Sequence, residues 1–232
     1  MELAEIERLV SSTGLRLRGG FHAAPEDGLP VLPDGKPAAA LLLVGTVGRS
    51  AWTAFETAPE RDGRPHPQDA WTRRVVDEVA RAAQALPIYP FDGPPYWPFQ
   101  RWAMRAEPVT TSPLGILIHP EYGLWHAYRA ALLFADCLEL PAVEPRPSPC
   151  ASCRDRPCLK ACPVGAFTPA GYDVDSCVGH ISIEAGALCM ANGCRARDAC
   201  PIGVEYRYAA AQKRFHMEAF LRARLADLED KR

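Results

Sequence analysis

A chain of 232 residues is long enough for one generous domain or two modest ones and can bury a sizeable core. At 48% hydrophobic and 23% charged it matches soluble globular proteins, which excludes a disordered polymer, a coiled coil and a collagen-like fibre. A formal charge of -2 from 26 basic and 28 acidic residues provides no overall field to recruit nucleic acid or anionic lipid. Pro 23 is high and predicts many irregular segments.

Met1–Val10 reads as an amphipathic helix without the basic end, apolar run and cleavage site of an export signal, so a reducing cytoplasm is expected. Residues 14–35, with five Gly and three Pro, read as loop or short hairpin. The apolar run 37–48 suits a buried strand turning out at Gly45, and Ser50 is placed to cap a short helix to about Thr57. Trp71, Val75, Val79, Ala82 and Leu86 form one stripe on a helix predicted from Asp69 to Leu86. The stretch 88–102 carries Tyr89, Phe91, Tyr96, Trp97, Phe99 and Trp102 interleaved with four prolines. Those prolines argue against a helix, and a rigid aromatic loop suits the covering of a flat apolar ligand or the plugging of a core.

Residues 114–120 and 129–140 read as two buried elements joined by a loop that His119, Tyr122 and Trp125 ring. The longest apolar run, 38–44, is too short to span a bilayer, so no membrane partner is expected. A Pro-rich joint at 141–149 precedes the cysteines, and after Cys200 the tail reads as a helix with Met217, Leu221, Leu225 and Leu228 on one face. Neither GxSxG nor HExxH is present, and GTVGRS (45–50) fits a strand-to-helix turn better than a phosphate loop.

Eight of nine cysteines lie between Cys150 and Cys200. Cys150, Cys153, Cys158 and Cys162 form C-x2-C-x4-C-x3-C-P; Cys177, Cys189, Cys194 and Cys200 follow, the last again before Pro. The two halves close alike, on ACPVG (161–165) and ACPIG (199–203). Two sets of four thiolates, each closing on Cys-Pro, suit two 4Fe-4S clusters, since bacterial two-cluster ferredoxins run C-x2-C-x2-C-x3-C-P twice. Zinc is the alternative, because CxxC also begins zinc ribbons, but it would use only four of the eight. Cys137, in an apolar segment, reads as a small buried hydrophobe.

DSCVGHISIE (175–184) and the Cys-Pro endings resemble the cysteine region of epoxyqueuosine reductase. That resemblance implies a crossed pairing: Cys150, Cys153, Cys158 and Cys200 for one cluster, Cys162, Cys177, Cys189 and Cys194 for the other. This chain has four residues between Cys189 and Cys194 and five before Cys200, where the family has two and three. Residues 114–141 are similar to a segment of the cobalamin-processing family of the methylmalonic aciduria and homocystinuria type C protein, whose motif is His-Pro-Arg-Phe-Gly-Gly-Trp. The strand at 38–48 and the helix from Asp69 fall in the expected order, so the likeness covers about residues 1–140. His119, Pro120, Gly123 and Trp125 match it; Glu121, Tyr122 and Leu124 differ.

Together with the reductive dehalogenases, these families imply an α+β fold: a flavin-reductase/nitroreductase-like sheet-and-helix domain (1–146), a small bacterial-ferredoxin-like two-cluster module (147–205) and a C-terminal helix (206–232). They also imply a corrinoid (cobalamin), with His119, Tyr122, Trp125, Trp97 and Trp102 as candidate contacts, and an electron-donating reductase as partner. Electrons would pass from the clusters to cobalt, reducing the cobalamin or removing its upper ligand. Two alternatives stand beside this: a ferredoxin-type carrier without a small-molecule substrate, and an epoxyqueuosine-reductase-like enzyme.

Overall fold

A computed structural model describes residues 1–168 and 170–229, which divide into two compact units: 1–109 with 126–146, and 110–125 with 147–229. The first is built on a four-stranded antiparallel sheet in the order β1-β2-β6-β3, formed by Arg16–His22 (β1), Ala40–Val47 (β2), Leu86–Ile88 (β3) and His126–Phe134 (β6). Every residue of β2 from Ala40 to Thr46 is buried. Successive side chains point to opposite faces, so a continuous apolar run is what a strand covered on both sides requires. Helix α1 (Leu3–Ser12) packs on β1 and on α3 (Pro67–Ala83), α3 packs on β3 and β6, and α4 (Phe99–Ala106) packs on β1 and β2. The fold is mixed α+β. Among the described residues no helix is long and apolar enough to cross a membrane.

Several local expectations are corrected. Part of the expected loop at 14–35 is strand β1, whose register slips between Leu17 and Gly20. Gly19 lies there at φ 67°, and a Cβ on it would come within 2.2 Å of the Ala106 carbonyl oxygen. Strand β2 does not turn out at Gly45. It continues to Val47 through an irregularity at that glycine, where a Cβ would meet the Ala127 carbonyl oxygen at 2.1 Å. Ser50 does not cap α2 (Trp52–Glu56); its hydroxyl accepts from the Val47 N–H at 3.2 Å.

Helix α3 starts at Pro67, where the ring's fixed φ suits a first turn, and ends at Gln84 in the left-handed region. Leu86 therefore belongs to β3. Ala82 is exposed, and Val76, Ala80 and Ala83 complete the buried stripe instead. The prolines of 88–102 exclude helix only as far as Pro98, beyond which α4 places Phe99, Trp102, Ala103 and Ala106 inward. Cys137 is exposed, because β6 ends at Phe134 before that residue is reached.

The first unit also buries a charge. Arg18, 1% exposed, forms a two-pronged ion pair with Glu107 (2.8 and 2.7 Å) and donates to the Thr46 carbonyl at 3.0 Å. Tyr128 donates to the same carboxylate at 2.6 Å, and its ring lies under the guanidinium. Burial, and next the Glu107 charge, push the Tyr128 hydroxyl upward, so it stays a donor. Arg18→Met leaves Glu107 without its cation and should cost about 3–5 kcal/mol in urea unfolding. An unchanged midpoint would show that the pair contributes nothing.

The second unit is made of short pieces: strands Thr110–Thr111 (β4) and Leu117–Ile118 (β5), helices Pro149–Ser152 (α5) and Pro157–Lys160 (α6), and the hairpin Phe167–Thr168 (β7) with Gly171–Tyr172 (β8). Helices Val174–Ile181 (α7), Ala187–Asn192 (α8), Arg195–Asp198 (α9) and Ala210–Glu229 (α10) follow. Helix α10 buries Gln212 and partly buries Met217, Phe220 and Leu221, whereas Leu225 is exposed and the Leu228 side chain lies outside the described part.

Candidate metal centre

Short helices deliver the thiols. Pro149 and Pro157 open α5 and α6, which carry Cys150 and Cys158; Cys153 ends α5 and Cys162 follows α6. Helix α7 carries Cys177, α8 carries Cys189, Cys194 caps α9, and Cys200 lies just past its end. The eight sulfurs face two separate cavities. Cys150, Cys153, Cys158 and Cys200 line one, together with Ile118, Arg156 and Ile202. Cys162, Cys177, Cys189 and Cys194 line the other, a space of about 300 Å³ closed by Leu114, Phe167, Tyr172, Met217 and Phe220. No cysteine is shared. The last cysteine of each half of the sequence faces the cavity of the other half.

The wider cavity extends past the thiols, with the Tyr172 ring stacked on Phe167 at 4.7 Å along its wall. The first cavity is much smaller and is set in an apolar cluster of Leu114, Ile118, Leu124, Cys158, Ala196 and Cys200. Among the described residues no group of three or more His, Cys, Asp or Glu side chains is disposed to hold a metal ion. Four thiols around one cavity match in number the thiolates of one cubane, and two such sets account for all eight, whereas a zinc site would use only four of them.

Burial raises the thiol pKa of Cys150, Cys158, Cys177, Cys189, Cys194 and Cys200, and neighbouring thiols push several of them the same way. Backbone donors oppose this at Cys194, from Ala196 and Arg197, and at Cys200, from Ile202. The Ala166 N–H lies 3.4 Å from the Cys162 sulfur. Loading a soft metal centre displaces the thiol protons, and such N–H groups then stabilise the thiolates.

The five aromatic and imidazole candidates divide between the units. His119, Tyr122 and Trp125 belong to the second. The His119 and Tyr122 rings stack at 4.1 Å, and His119 Nδ1 accepts from the Glu121 and Tyr122 N–H groups at 3.1 and 3.2 Å. Trp125, 2% exposed, meets Tyr208 edge-on at 5.2 Å beneath the Arg197 guanidinium. Gly123 (φ 57°) and Gly203 (φ 68°) lie back to back: a Cβ on Gly123 would come within 2.0 Å of the Ile202 carbonyl oxygen, so the His119–Trp125 loop rests on the Cys200 turn. Trp97 and Trp102 belong to the first unit, stacked at 6.2 Å. Trp102 is fully buried, with its indole N–H on the Asp27 carbonyl at 2.9 Å. The polar group of Arg18, Glu107 and Tyr128 went unforeseen, because partners 89 and 21 residues apart leave no local pattern.

The fold, with these cysteines on it, places the chain among α+β proteins of known structure. The chain is similar over 90% of its length to 68% of an epoxyqueuosine reductase (16% identity, TM-score 0.55). It is also similar over 89% to 66% of an epoxyqueuosine reductase solved with an epoxyqueuosine-modified tRNA-Tyr stem loop (16% identity, TM-score 0.52). A B12-trafficking protein from C. elegans matches over 94% of this chain and 95% of its own (14% identity, TM-score 0.50). Likenesses at these identities establish the fold. The chain spans about two thirds of the reductases' length. No protein-family model and no curated protein matches it.

Proposed function

We propose that this protein is an iron–sulfur redox protein that binds a corrinoid and delivers electrons to its cobalt. The observation that carries the reading is the grouping of the eight cysteines, four to a cavity, in the crossed arrangement of two-cluster ferredoxins. Cys150, Cys153, Cys158 and Cys200 would hold one 4Fe-4S cluster, and Cys162, Cys177, Cys189 and Cys194 the other, forming a small ferredoxin-like module. Such clusters supply one-electron transfer, at a potential set by net charge, hydrogen bonds to the sulfurs and solvent exposure.

The chain's own residues do the rest. Eight thiolates bind, N–H groups such as that of Ala166 orient the sulfurs, and Leu114, Ile118 and Leu124 keep water from the first site. Similarity to a B12-trafficking protein and to epoxyqueuosine reductases supports a corrinoid as acceptor. His119, Tyr122 and Trp125 are its candidate contacts in the second unit, and the part-buried Trp97 is a separate candidate in the first, where Trp102 is fully buried in the core.

A visible-absorption titration with cob(II)alamin tests this. The bands should move from base-on to base-off as protein saturates the corrinoid, and no movement at saturation would sink the reading. The reductase likeness favours a second reading, reduction of an epoxyqueuosine-type nucleoside. The formal charge of -2 provides no overall field to hold tRNA, which favours a free nucleoside as its substrate. Turnover of that nucleoside by the reduced holoprotein would select it. A plain ferredoxin-type carrier would pass electrons onward and bind neither ligand.

A further inference from the structure

We propose that the exposed loop between Cys153 and Cys158, together with Lys160, is the docking surface for a small acidic protein electron carrier. The carrier delivers its electron to the centre held by Cys150, Cys153, Cys158 and Cys200. The inference rests on reading those cysteines as an iron–sulfur site.

Arg154, Arg156 and Lys160 are all exposed, and Asp155 is the one acid among them, so a seven-residue stretch carries three cations and one anion on a chain of net charge -2. None of the three cations enters an ion pair among the described residues, whereas Arg74, Arg105 and Arg129 each hold a carboxylate. Unpaired cations on a protein of opposite net sign form a local field rather than an internal bridge, and local fields steer association. Arg156 also borders the first cavity, at the head of α6, with its backbone in the left-handed region at φ 40°. A residue with a side chain adopts that region only when its surroundings hold it there.

Around the second set the signs are mixed: Asp173, Asp175 and Glu184 are exposed, and so is Arg195, which lines that cavity. The unpaired cations on the Cys153–Cys158 loop thus set the sign of the carrier, and Arg156 at the first cavity brings it to that set. The patch is small, as befits redox encounters, which bury little area and rely on rate more than on affinity. One electron leaves the carrier's reduced centre and enters the first cluster; no bond forms or breaks, and no proton moves.

The test uses the anaerobically loaded full chain and a reduced acidic flavodoxin, followed by stopped-flow absorbance. Raising salt from about 10 mM to about 1 M shortens the Debye length from about 30 Å to about 3 Å and should slow the second-order reduction at least tenfold. The double variant Arg154→Glu with Lys160→Glu should be at least tenfold slower at low salt and nearly insensitive to salt. Its reduction by photogenerated deazaflavin radical, which needs no docking surface, should match wild type. Calorimetry with both proteins oxidised should show at least tenfold weaker binding for the variant. A salt-independent wild-type rate, or a variant as fast as wild type, overturns the proposal. Should the variant fail to fold, the wild-type salt profile decides alone. A chain that takes up no iron overturns instead the iron–sulfur reading beneath it.

Discussion

If each four-thiolate set holds one cubane, as proposed, protein isolated without oxygen should carry about eight iron and about eight sulfide per chain, with no stoichiometric zinc. Replacing Cys150 or Cys200 with Ser should remove about half of both elements, and Cys177 or Cys189 the other half. The pairing makes this discriminating: Cys200 is 38 residues from Cys162 in sequence, yet each faces the other half's cavity. Replacing Cys137, which is exposed and borders neither cavity, should change neither count. The double variant Cys150→Ser with Cys200→Ser should still keep about half of its iron, and a double variant that loses all of it would show the crossed pairing to be wrong.

Trp102→Ala should give the largest loss of stability of any single aromatic replacement in the segment 88–102. Its indole is 1% exposed, packs on Phe99 at 5.2 Å and donates to the Asp27 carbonyl. Emptying such a site costs about 3–5 kcal/mol, read from the urea midpoint. Trp97 is only partly buried, so Trp97→Ala should cost less than half as much. Trp97→Ala therefore separates ligand contact from folding: weakened corrinoid binding at near-native stability assigns the ring to the ligand. A Trp102→Ala protein that melts with wild type would show that the cavity collapses without penalty.

Legibility followed the range of the interactions. The run 37–48 announced a buried strand and the stripe from Trp71 to Val79 announced a helix, because each repeats within one element. Strand β1 was hidden because Gly19 and Gly20, which look like turn signals, are there to admit the Ala106 and Leu41 carbonyls at close range. Helix α4 was hidden because Pro98 stands at its start, where proline is tolerated, rather than inside it. Cys137 was misjudged from the apolar letters around it, since the composition does not reveal that the strand ends at Phe134. The eight cysteines from Cys150 to Cys200 were legible as a local group, because one residue type recurs there at short spacing. The buried Arg18–Glu107 pair left no trace at all, because its partners are 89 residues apart.

The two units share the chain in an interleaved order, crossing at 109–110, 125–126 and 146–147. No single cut therefore yields two whole pieces. A fragment ending at 146 keeps the segment 110–125 but loses the Cys200 turn on which Gly123 rests and the Arg197 guanidinium that covers Trp125. A fragment starting at 147 loses Leu114, Ile118 and Leu124 from around its thiols. An attempt to express the cysteine region as a freestanding carrier should give a scaffold that assembles its centres poorly, and grafting residues 110–125 back onto its N-terminus is the minimal repair.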